Sequence, residues 1–551
     1  MKIYLRKHTN IILICIVLIG FVLRFYRLGE NPPGLNWDEA SLGYNAYAIL
    51  KTGADEYGTQ TPLSIRSFDD YKPPLYVYLT VPSVALFGLN AFSVRFVSAL
   101  LGSLAVVVMY FLTKEITSYE LRVTSYLPLL TAGLLAISPW HLQFSRAAYE
   151  GNMGLFFFML GTYLFLYTLR TGRRYILSGI VFSLTLYSYH SFRLITPIFL
   201  VTVSLIFFRK ILKEKKKYAA MIIIVCSAII PVFISFFSNA GTGSRLSMVT
   251  IFTGHDVLAP SIDRMQYDQE QGYPFSETFH NRRIVYLLAA SKAYLDHFDP
   301  RYLFIFGDGG KQHHAVDFGM LYLIDVVFLV VGSVFATSKI TRRGLVLFAM
   351  LLIAPIASAI TTGTPHPVRA IAMAPAFHIL TAIGIMVVVY QIMLLKNKRW
   401  SRILISLIIL LYAGNMTYYF HQYYVHTPIV YGDFWQAGHK ELFTKLKSIE
   451  DNYDSIIVTY HYDQPYIFYL FYNRIDPYWY QKQWDVMGTG EIDRMYRKIG
   501  KYEFRPIDWN QDKQISNTLI VGAPSEIPKD IPYYGKILFP NGETAFILVK
   551  T

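Results

Sequence analysis

The sequence predicts a polytopic α-helical membrane protein, and three of its properties carry that prediction. Of its 551 residues, 53% are hydrophobic and 16% are charged, whereas a soluble domain carries about 25% charged residues. The mean hydropathy is +0.33. Apolar runs of about 20 residues, the length that one helix needs to cross a bilayer, recur from Ile11 to Phe420. Much of the chain must therefore contact lipid rather than water.

The number of membrane spans follows from the lengths of these apolar runs. Eleven runs are long enough to span, near 9–26, 91–113, 123–140, 152–169, 175–190, 194–208, 219–237, 318–337, 344–361, 371–393 and 402–420. A twelfth run, Pro73–Phe87, is short and carries Pro82. Its length predicts a re-entrant or interfacial helix in the first outer loop.

Basic residues decide the orientation of the spans. If Pro73–Phe87 does not cross, every basic loop lies on the same side as the N-terminus, including the cluster RKILKEKKK at 209–217. The positive-inside rule makes that side the cytoplasm. The loops 27–90 and 238–317 then lie outside, as does everything after residue 420. We expect a multi-pass protein of the plasma membrane whose chemistry takes place outside the cytoplasm.

The chain is predicted to have two domains, a membrane domain of residues 1–420 and a water-facing tail of residues 421–551. The tail reads as a small α/β domain, with a helix, two strands and an Asn-Gly hairpin at Lys440–Glu450, Ser455–Tyr460, Thr518–Gly522 and Phe539–Val549. Its aromatic run YHYDQPYIFYLFY suits either stacking on sugar rings or packing against the membrane domain.

The net charge of +14 does not indicate nucleic-acid binding. The basic residues stand in short clusters between apolar runs, as they do in cytoplasmic loops. The two cysteines, Cys15 and Cys226, lie inside apolar runs and have the spacing of neither a metal site nor a disulfide framework.

The first outer loop carries the acids best placed for chemistry. Asp38-Glu39 stands where a helix-permissive segment begins, so one reading is an N-cap with an acid in the first turn. The other reading is a carboxylate general base at the membrane surface. Asp69, Asp70 and Lys72 form a second group, which Pro73-Pro74 follows. The Lys72 ammonium suits a lipid-linked phosphate, although a lysine that snorkels to the headgroups would look the same.

Several other ionisable residues fall on the same predicted face. Each could be an interfacial anchor or a structural histidine, yet together they could clamp a phosphate. They are Arg95, Arg146, His366 and Arg369. The loop motif GDGGKQHH at 307–314 lacks the Walker spacing, and its adjacent histidines lack ligand spacing, so it is interpreted as a turn. No metal site is predicted.

These motifs in this order resemble the GT-C fold, within it the family of protein O-mannosyltransferases and lipid A aminoarabinose transferases. The matching segments are Asp38-Glu39, Lys72-Pro73-Pro74-Leu75, Val94-Arg95-Phe96 through Gly102, Ser138-Pro139 and Ser145-Arg146. Protein mannosyltransferases have His where Lys72 stands and carry an inserted domain that the 238–317 loop lacks. A bacterial or archaeal enzyme is therefore expected.

The resemblance implies an inverting glycosyltransferase that takes a monosaccharide from a polyprenyl-phosphate carrier and adds it to an extracytoplasmic protein, lipid or glycan. It implies Asp38 as the catalytic base and Lys72 as a ligand of the donor phosphate. The other residues predicted to bind substrate are chosen because they share the predicted outer face, and they are Glu39, Asp70, Arg95, Arg146, His366 and Arg369. No cofactor or divalent metal is expected. Two alternatives stay open, a lipid or solute transporter or flippase and a metal-dependent enzyme like the oligosaccharyltransferases.

Overall fold

The computed structural model describes residues 2–68, 70–117, 126–238, 250–252, 255–487 and 496–551. Most of the described elements are helices. The α-helices are Lys2–Phe25, Trp37–Thr52, Leu75–Phe87, Ala91–Thr117, Leu127–Ile137, Pro139–Ser145, Glu150–Thr171, Tyr175–Leu186, Phe192–Ile206, Phe208–Ile211, Lys215–Ser238, His255–Glu270, Ser276–Phe279, Arg282–Asp296, Asp325–Ser338, Gly344–Ile353, Ile356–Ala359, Ala374–Met393, Lys398–His421, Thr427–Val430, His439–Ile449, Pro465–Tyr472, Pro477–Met487 and Trp509–Asp512. Short 3₁₀ or π turns occupy Leu212–Glu214, Tyr302–Phe306, Ile371–Met373, Gln422–His426 and Glu450–Asn452.

Eight short strands complete the described structure. They are β1 Ile65–Ser67, β2 Asp70–Lys72, β3 Ser455–Val458, β4 Arg497–Ile499, β5 Tyr502–Phe504, β6 Thr518–Gly522, β7 Gly535–Leu538 and β8 Thr544–Lys550.

The apolar helices confirm the helical membrane class. Five helices among the described residues are long and apolar enough to cross a bilayer, namely Ala91–Thr117, Glu150–Thr171, Phe208–Ser235, Ile371–Met393 and Lys398–Val430. Seven shorter apolar helices occupy the other predicted runs, and Leu75–Phe87, with Pro82 inside it, is one of them. The count of eleven spans and the orientation of the chain stay predictions.

Contacts within the chain divide it into two compact units. The first unit comprises Met1–Leu23, Leu101–Phe144 and Glu150–Tyr419, and the second comprises Arg24–Leu100, Ser145–Tyr149 and Phe420–Thr551. The first outer loop thus belongs to the same unit as the tail. The predicted domain boundary at residue 420 was placed at the end of the last predicted membrane span and not from contacts within the chain. It stays a prediction.

In the first unit, two glycines allow one helix pair to approach closely. Asp325–Ser338 packs along Ala374–Met393. A Cβ at Gly332 would collide with the Leu380 carbonyl, and one at Gly384 would collide with the Phe328 carbonyl. Small residues at such a crossing bring two apolar helices into backbone contact.

In the second unit, the tail forms one mixed six-stranded sheet in the order β4-β5-β3-β6-β8-β7. The central strand β3 is parallel to β5 and to β6, and the outer pairs are antiparallel. Ile457, Ile520 and Val549 form part of its buried core. Helix His439–Ile449, strands β3 and β6, and the β7–β8 hairpin around Gly542 lie close to the predicted positions.

The aromatic run of the tail is a buried helix. Tyr466, Phe468 and Phe471 of Pro465–Tyr472 are almost inaccessible to solvent. This helix packs against Trp37–Thr52 of the first outer loop, and Gly43 leaves room there for the ring of Phe471. Of the two interpretations of the run, packing within the chain is the one that its burial favours.

Candidate active site

The helix that carries Asp38 begins with a capping box made by its neighbours. Asn36 is the N-cap, and its side chain accepts a hydrogen bond from the Glu39 backbone N–H at 2.8 Å. The Glu39 carboxylate accepts in return from the Asn36 backbone N–H at 3.3 Å. The interpretation of Asp38 as the cap is therefore wrong. The sequence signature that was missed is an Asn followed three residues later by a Glu. Because Asn36 and Glu39 form the capping box, the Asp38 carboxylate is available for another contact.

One face of the helix Trp37–Thr52 contacts a small hairpin formed by strands β1 and β2. We call the helix the Asp38 helix and the hairpin the Lys72 hairpin. Ser41 and Ser67 share a hydrogen bond of 2.7 Å between helix and hairpin. One helical turn further on, Asn45 accepts from the Glu56 backbone N–H at 2.9 Å. Residues 38 and 41 lie on the same side of the helix, so the Ser41–Ser67 contact also directs the hairpin's last residue, Lys72, toward Asp38. Asn45 holds the segment that precedes the hairpin.

Asp38 and Lys72 form an ion pair between an exposed carboxylate and a buried ammonium. The Lys72 Nζ donates to Asp38 Oδ1. The Lys72 side chain is only 5% exposed, whereas that of Asp38 is 52% exposed. The ammonium also lies 5.4 Å from the centre of the Phe68 ring. The pair thus presents a carboxylate to solvent beside a fixed positive charge, which is the arrangement that a base next to an anionic leaving group needs.

Glu39, the neighbouring acid, is fully occupied by the protein itself. It is 1% exposed, and Arg95 is 0% exposed. Its Oε1 accepts from Arg95 Nε and from the Ala148 backbone N–H, both at 2.9 Å, and its Oε2 accepts from Arg95 Nη2 at 3.0 Å. The remaining Arg95 donors reach the carbonyls of Leu28, Pro32 and Gly34.

Arg146 has a similar place in the second unit. It is 1% exposed, and it donates to the Arg24 and Asn31 carbonyls at 3.1 Å each and to the Tyr423 hydroxyl at 3.0 Å. Arg95 and Arg146 together thus bind five carbonyls of the segment 24–34 that leads to the Asp38 helix. These contacts favour a positioning role for Glu39, Arg95 and Arg146, and their predicted binding of substrate stays a prediction.

Asp70 lies in the Lys72 hairpin, where its side chain contacts the backbone of the next residue. It pairs with Ser67 across the hairpin, and its Oδ1 accepts from the Tyr71 backbone N–H at 2.7 Å. Its neighbour in the predicted group, Asp69, lies outside the described residues. The predicted role of Asp70 in substrate binding stays a prediction.

His366 and Arg369 belong to the first unit. Arg369 donates to the Thr361 hydroxyl at 2.6 Å and to the Thr362 carbonyl at 2.8 Å. The His366 backbone N–H donates to His297 Nε2 at 3.2 Å. Burial, with the charges of His313 and Arg369, holds the pKa of His366 well below its ordinary value, so its imidazole is neutral at neutral pH. Their predicted substrate contacts stay predictions.

One pair of ionisable residues beside His366, namely Asp308 and His313, was not predicted from the sequence. The Gly307–His314 segment does form a turn, with positive φ at Gly307 and a hydrogen bond from His313 N–H to the Gly310 carbonyl. The same turn brings His313 Nδ1 to 2.7 Å from Asp308 Oδ2 and the His313 ring to 4.9 Å from the His366 ring. The five-residue spacing within a glycine-rich turn was the available signal.

Across the described ranges, no group of three or more His, Cys, Asp or Glu could hold a metal ion. The expectation that no divalent metal is needed stays a prediction.

Comparison with known proteins gives the fold, and a family match over part of the chain. The model of the family described as dolichyl-phosphate-mannose-protein mannosyltransferase matches residues 71–234, under a third of the chain. ArnT from Cupriavidus metallidurans in the apo state has a TM-score of 0.54 with 12% identity, over 99% of this chain and 98% of its own. The chain has the GT-C fold.

Two further solved structures are similar to the chain. ArnT bound to undecaprenyl phosphate has a TM-score of 0.52 with 12% identity, over 97% of each chain. The archaeal oligosaccharyltransferase AglB from Archaeoglobus fulgidus has a TM-score of 0.47 with 14% identity over 80% of this chain. The GT-C chain described here spans 58% of the length of AglB. No curated protein sequence matches the chain.

The family match covers part of the candidate site. Lys72, Arg95 and Arg146 fall within the matched residues 71–234, whereas Asp38 precedes them. The role of Asp38 in this GT-C chain therefore depends on its geometry beside Lys72.

Proposed function

We propose that the chain transfers a monosaccharide from a polyprenyl-phosphate carrier to an acceptor outside the cytoplasm, by inverting displacement. The observation that carries the proposal is the half-exposed Asp38 carboxylate held against the buried Lys72 ammonium. A carboxylate with an accessible oxygen can take a proton from an acceptor hydroxyl. A fixed cation beside it can bind the phosphate that leaves.

In the proposed reaction, Asp38 removes the proton of the acceptor hydroxyl as that oxygen attacks the anomeric carbon. The bond between the anomeric carbon and the phosphate oxygen breaks at the same time, and its electron pair leaves with the polyprenyl phosphate. The phosphate leaves without protonation, so one carboxylate is sufficient. The proton stays on Asp38 until solvent removes it, and the half-exposed position of the side chain allows that exchange.

Lys72 is proposed to bind the donor phosphate. In the structure its ammonium contacts Asp38 and the face of Phe68. An ammonium has three donors, so a phosphate can share it with the carboxylate. Because Lys72 is buried, its charge does not move away from the site as a surface lysine would, and little reorganisation is needed in the transition state.

The lipid-linked donor is supported by two findings about similar proteins. The matching family is described by its use of dolichyl-phosphate-mannose, and ArnT, whose fold this chain shares, was solved bound to undecaprenyl phosphate. Both carriers are polyprenyl phosphates. We extend that donor class to this chain, with the active site and the tail on the extracytoplasmic side of the plasma membrane of a bacterium or archaeon.

The test is transfer from a polyprenyl-phosphate-linked radiolabelled sugar to mixed membrane acceptors by the purified full-length protein, with and without EDTA. Label that moves to acceptor and survives EDTA is the expected result. Transfer that EDTA abolishes would favour the metal-dependent alternative. No transfer from several lipid-linked sugars, together with movement of lipid or solute across vesicles, would replace the proposal with a transporter.

A further inference from the structure

A polar cleft in the second unit takes no part in the proposed transfer. Its volume is about 610 Å³, and its wall includes the segment just after the first apolar helix, at Arg27 and Gly29, and the start of Ala91–Thr117, at Asn90 and Phe92. The tail supplies the opposite wall. The cleft adjoins the ends of two apolar helices, and interfacial residues of membrane proteins cluster at such helix ends.

Charged side chains of both signs line this cleft. Arg27, Lys440 and Arg474 are the cations, and Glu30 and Glu441 are the anions. Arg27 and Glu30 form an ion pair of 2.7 Å, in which both side chains are more than half exposed. Charges of both signs within one cleft suit a ligand that itself carries a phosphate and an ammonium group.

The backbone around the cleft is held in an uncommon conformation at several points. Arg27, Gln436 and Arg474 have φ between 51° and 52°, although they are not glycines. Left-handed conformations of such residues cost free energy and concentrate at functional sites. Gly34, in the same wall, lies so close to the Trp435–Ala437 backbone that a Cβ would collide with it. The backbone of the wall is therefore constrained at these positions.

An apolar surface adjoins the polar cleft. Phe92 of the cleft wall lies 5.2 Å from the ring of Phe87 and 6.5 Å from that of Phe25. Phe87 is 45% exposed and its neighbour Leu86 is 77% exposed. A ligand that fills the cleft can therefore continue along apolar side chains, which indicates an amphipathic molecule rather than a soluble one.

We propose that this cleft binds the head group of a zwitterionic membrane phospholipid. The lipid phosphate contacts Lys440 and Arg474, its ammonium contacts Glu30 and Glu441, and its acyl chains follow Leu86 and Phe87. The cleft thereby ties the tail to the membrane surface through a lipid. This inference is independent of the transfer reaction, since it involves neither Asp38 nor Lys72.

The test is a titration of the delipidated, full-length protein in detergent with a short-chain phosphatidylethanolamine, followed by native mass spectrometry. Wild type is expected to bind one lipid saturably. The double variant Lys440→Gln, Arg474→Gln should bind it about tenfold more weakly or worse. The control, Lys447→Gln with Lys513→Gln, removes two exposed tail lysines outside the cleft and should bind as wild type does.

A second variant fills the cleft without changing charge. Thr444→Trp should weaken lipid binding by a similar factor, whereas Ser448→Trp, one turn further along the same helix and outside the cleft, should not. Inorganic phosphate should not compete at concentrations where the lipid saturates the site. Equal lipid binding by all variants would overturn the proposal, and so would phosphate that binds as tightly as the lipid.

Discussion

At the scale of residues, two adjacent acids have different surroundings and therefore different expected roles. Asp38 is half exposed and contacts one lysine, whereas Glu39 is buried and accepts hydrogen bonds from Arg95 and from two backbone N–H groups. A buried carboxylate with all its partners present holds structure in place. An exposed carboxylate beside a buried cation can exchange protons. The two should therefore respond differently to the same conservative change.

Glu39→Gln should destabilise the protein by about 3–5 kcal/mol, because it leaves the buried Arg95 guanidinium without its counter-charge. Glu30→Gln, at an exposed glutamate in the same loop, should change the stability by less than about 1 kcal/mol. Thermal unfolding in detergent measures both. A Glu39→Gln protein as stable as wild type would show that Glu39 does not hold the loop.

Lys72→Met should lower kcat for transfer by about a hundredfold or more, because the variant keeps the packing on Phe68 but removes the charge beside the leaving phosphate. Lys51→Met, at the exposed end of the Asp38 helix, is the control and should keep the wild-type kcat. Steady-state kinetics with the lipid-linked donor separate the two. An unchanged kcat in Lys72→Met would exclude Lys72 from the reaction.

The sequence supplied the identity of these residues but not their roles. Asp38 and Lys72 stand 34 residues apart, and they meet because Ser41 binds Ser67 of the hairpin. No local sequence pattern predicts the contact between Asp38 and Lys72. Arg95 was expected to bind phosphate, yet all its donors bind the chain itself, which depends on how the 24–34 segment folds back.

At the scale of elements, helix starts and helix crossings set the geometry. The capping box of the Asp38 helix could have been read from Asn36 and Glu39. The tail helix His439–Ile449 was predicted within one residue at each end, since its apolar spacing is regular. Its first residue, His439, is titratable, and the spacing of apolar residues along the helix does not predict how deeply that side chain is buried.

The tail should lose stability as the pH falls from about 6.5 to 4. Burial lowers the pKa of His439 to about 4, although its Nδ1–H donates to the Gln436 carbonyl. Below about pH 6.5 the unfolded chain takes up a proton that the folded chain does not, so folding weakens by about 2 kcal/mol between pH 7 and 5. His439→Phe should lose less stability than wild type over that interval, as thermal unfolding at both pH values would show. Equal losses would contradict this assignment.

The glycine crossing in the first unit should be sensitive to size. Gly332→Leu should destabilise the protein by about 1–3 kcal/mol, since its side chain has no room beside the Leu380 carbonyl. Gly414→Leu is the matched control, because a Cβ there meets nothing within 4 Å. Thermal unfolding of the two variants compares them directly. Similar stability would mean that the two helices do not cross as closely as described.

At the scale of the whole molecule, hydropathy predicted the class and the resemblance predicted the fold. Each predicted span overlaps an apolar helix of the described structure, and five of those helices are long enough to cross a bilayer. The division of the chain into two compact units could not be predicted from hydropathy. The first outer loop belongs with the tail, since the Asp38 helix buries its Gly43 side against Phe471, a contact between residues more than 400 positions apart.

The proposed transfer reaction depends on Asp38 acting as the base. The most direct measurement compares wild type, Asp38→Asn and Asp433→Asn, an exposed acid of the second unit, for single-turnover transfer and for donor binding. We expect Asp38→Asn to bind the donor with wild-type affinity and to transfer about 10²–10⁴-fold more slowly, while Asp433→Asn behaves as wild type. Transfer by a folded, donor-binding Asp38→Asn protein at the wild-type rate would contradict the account.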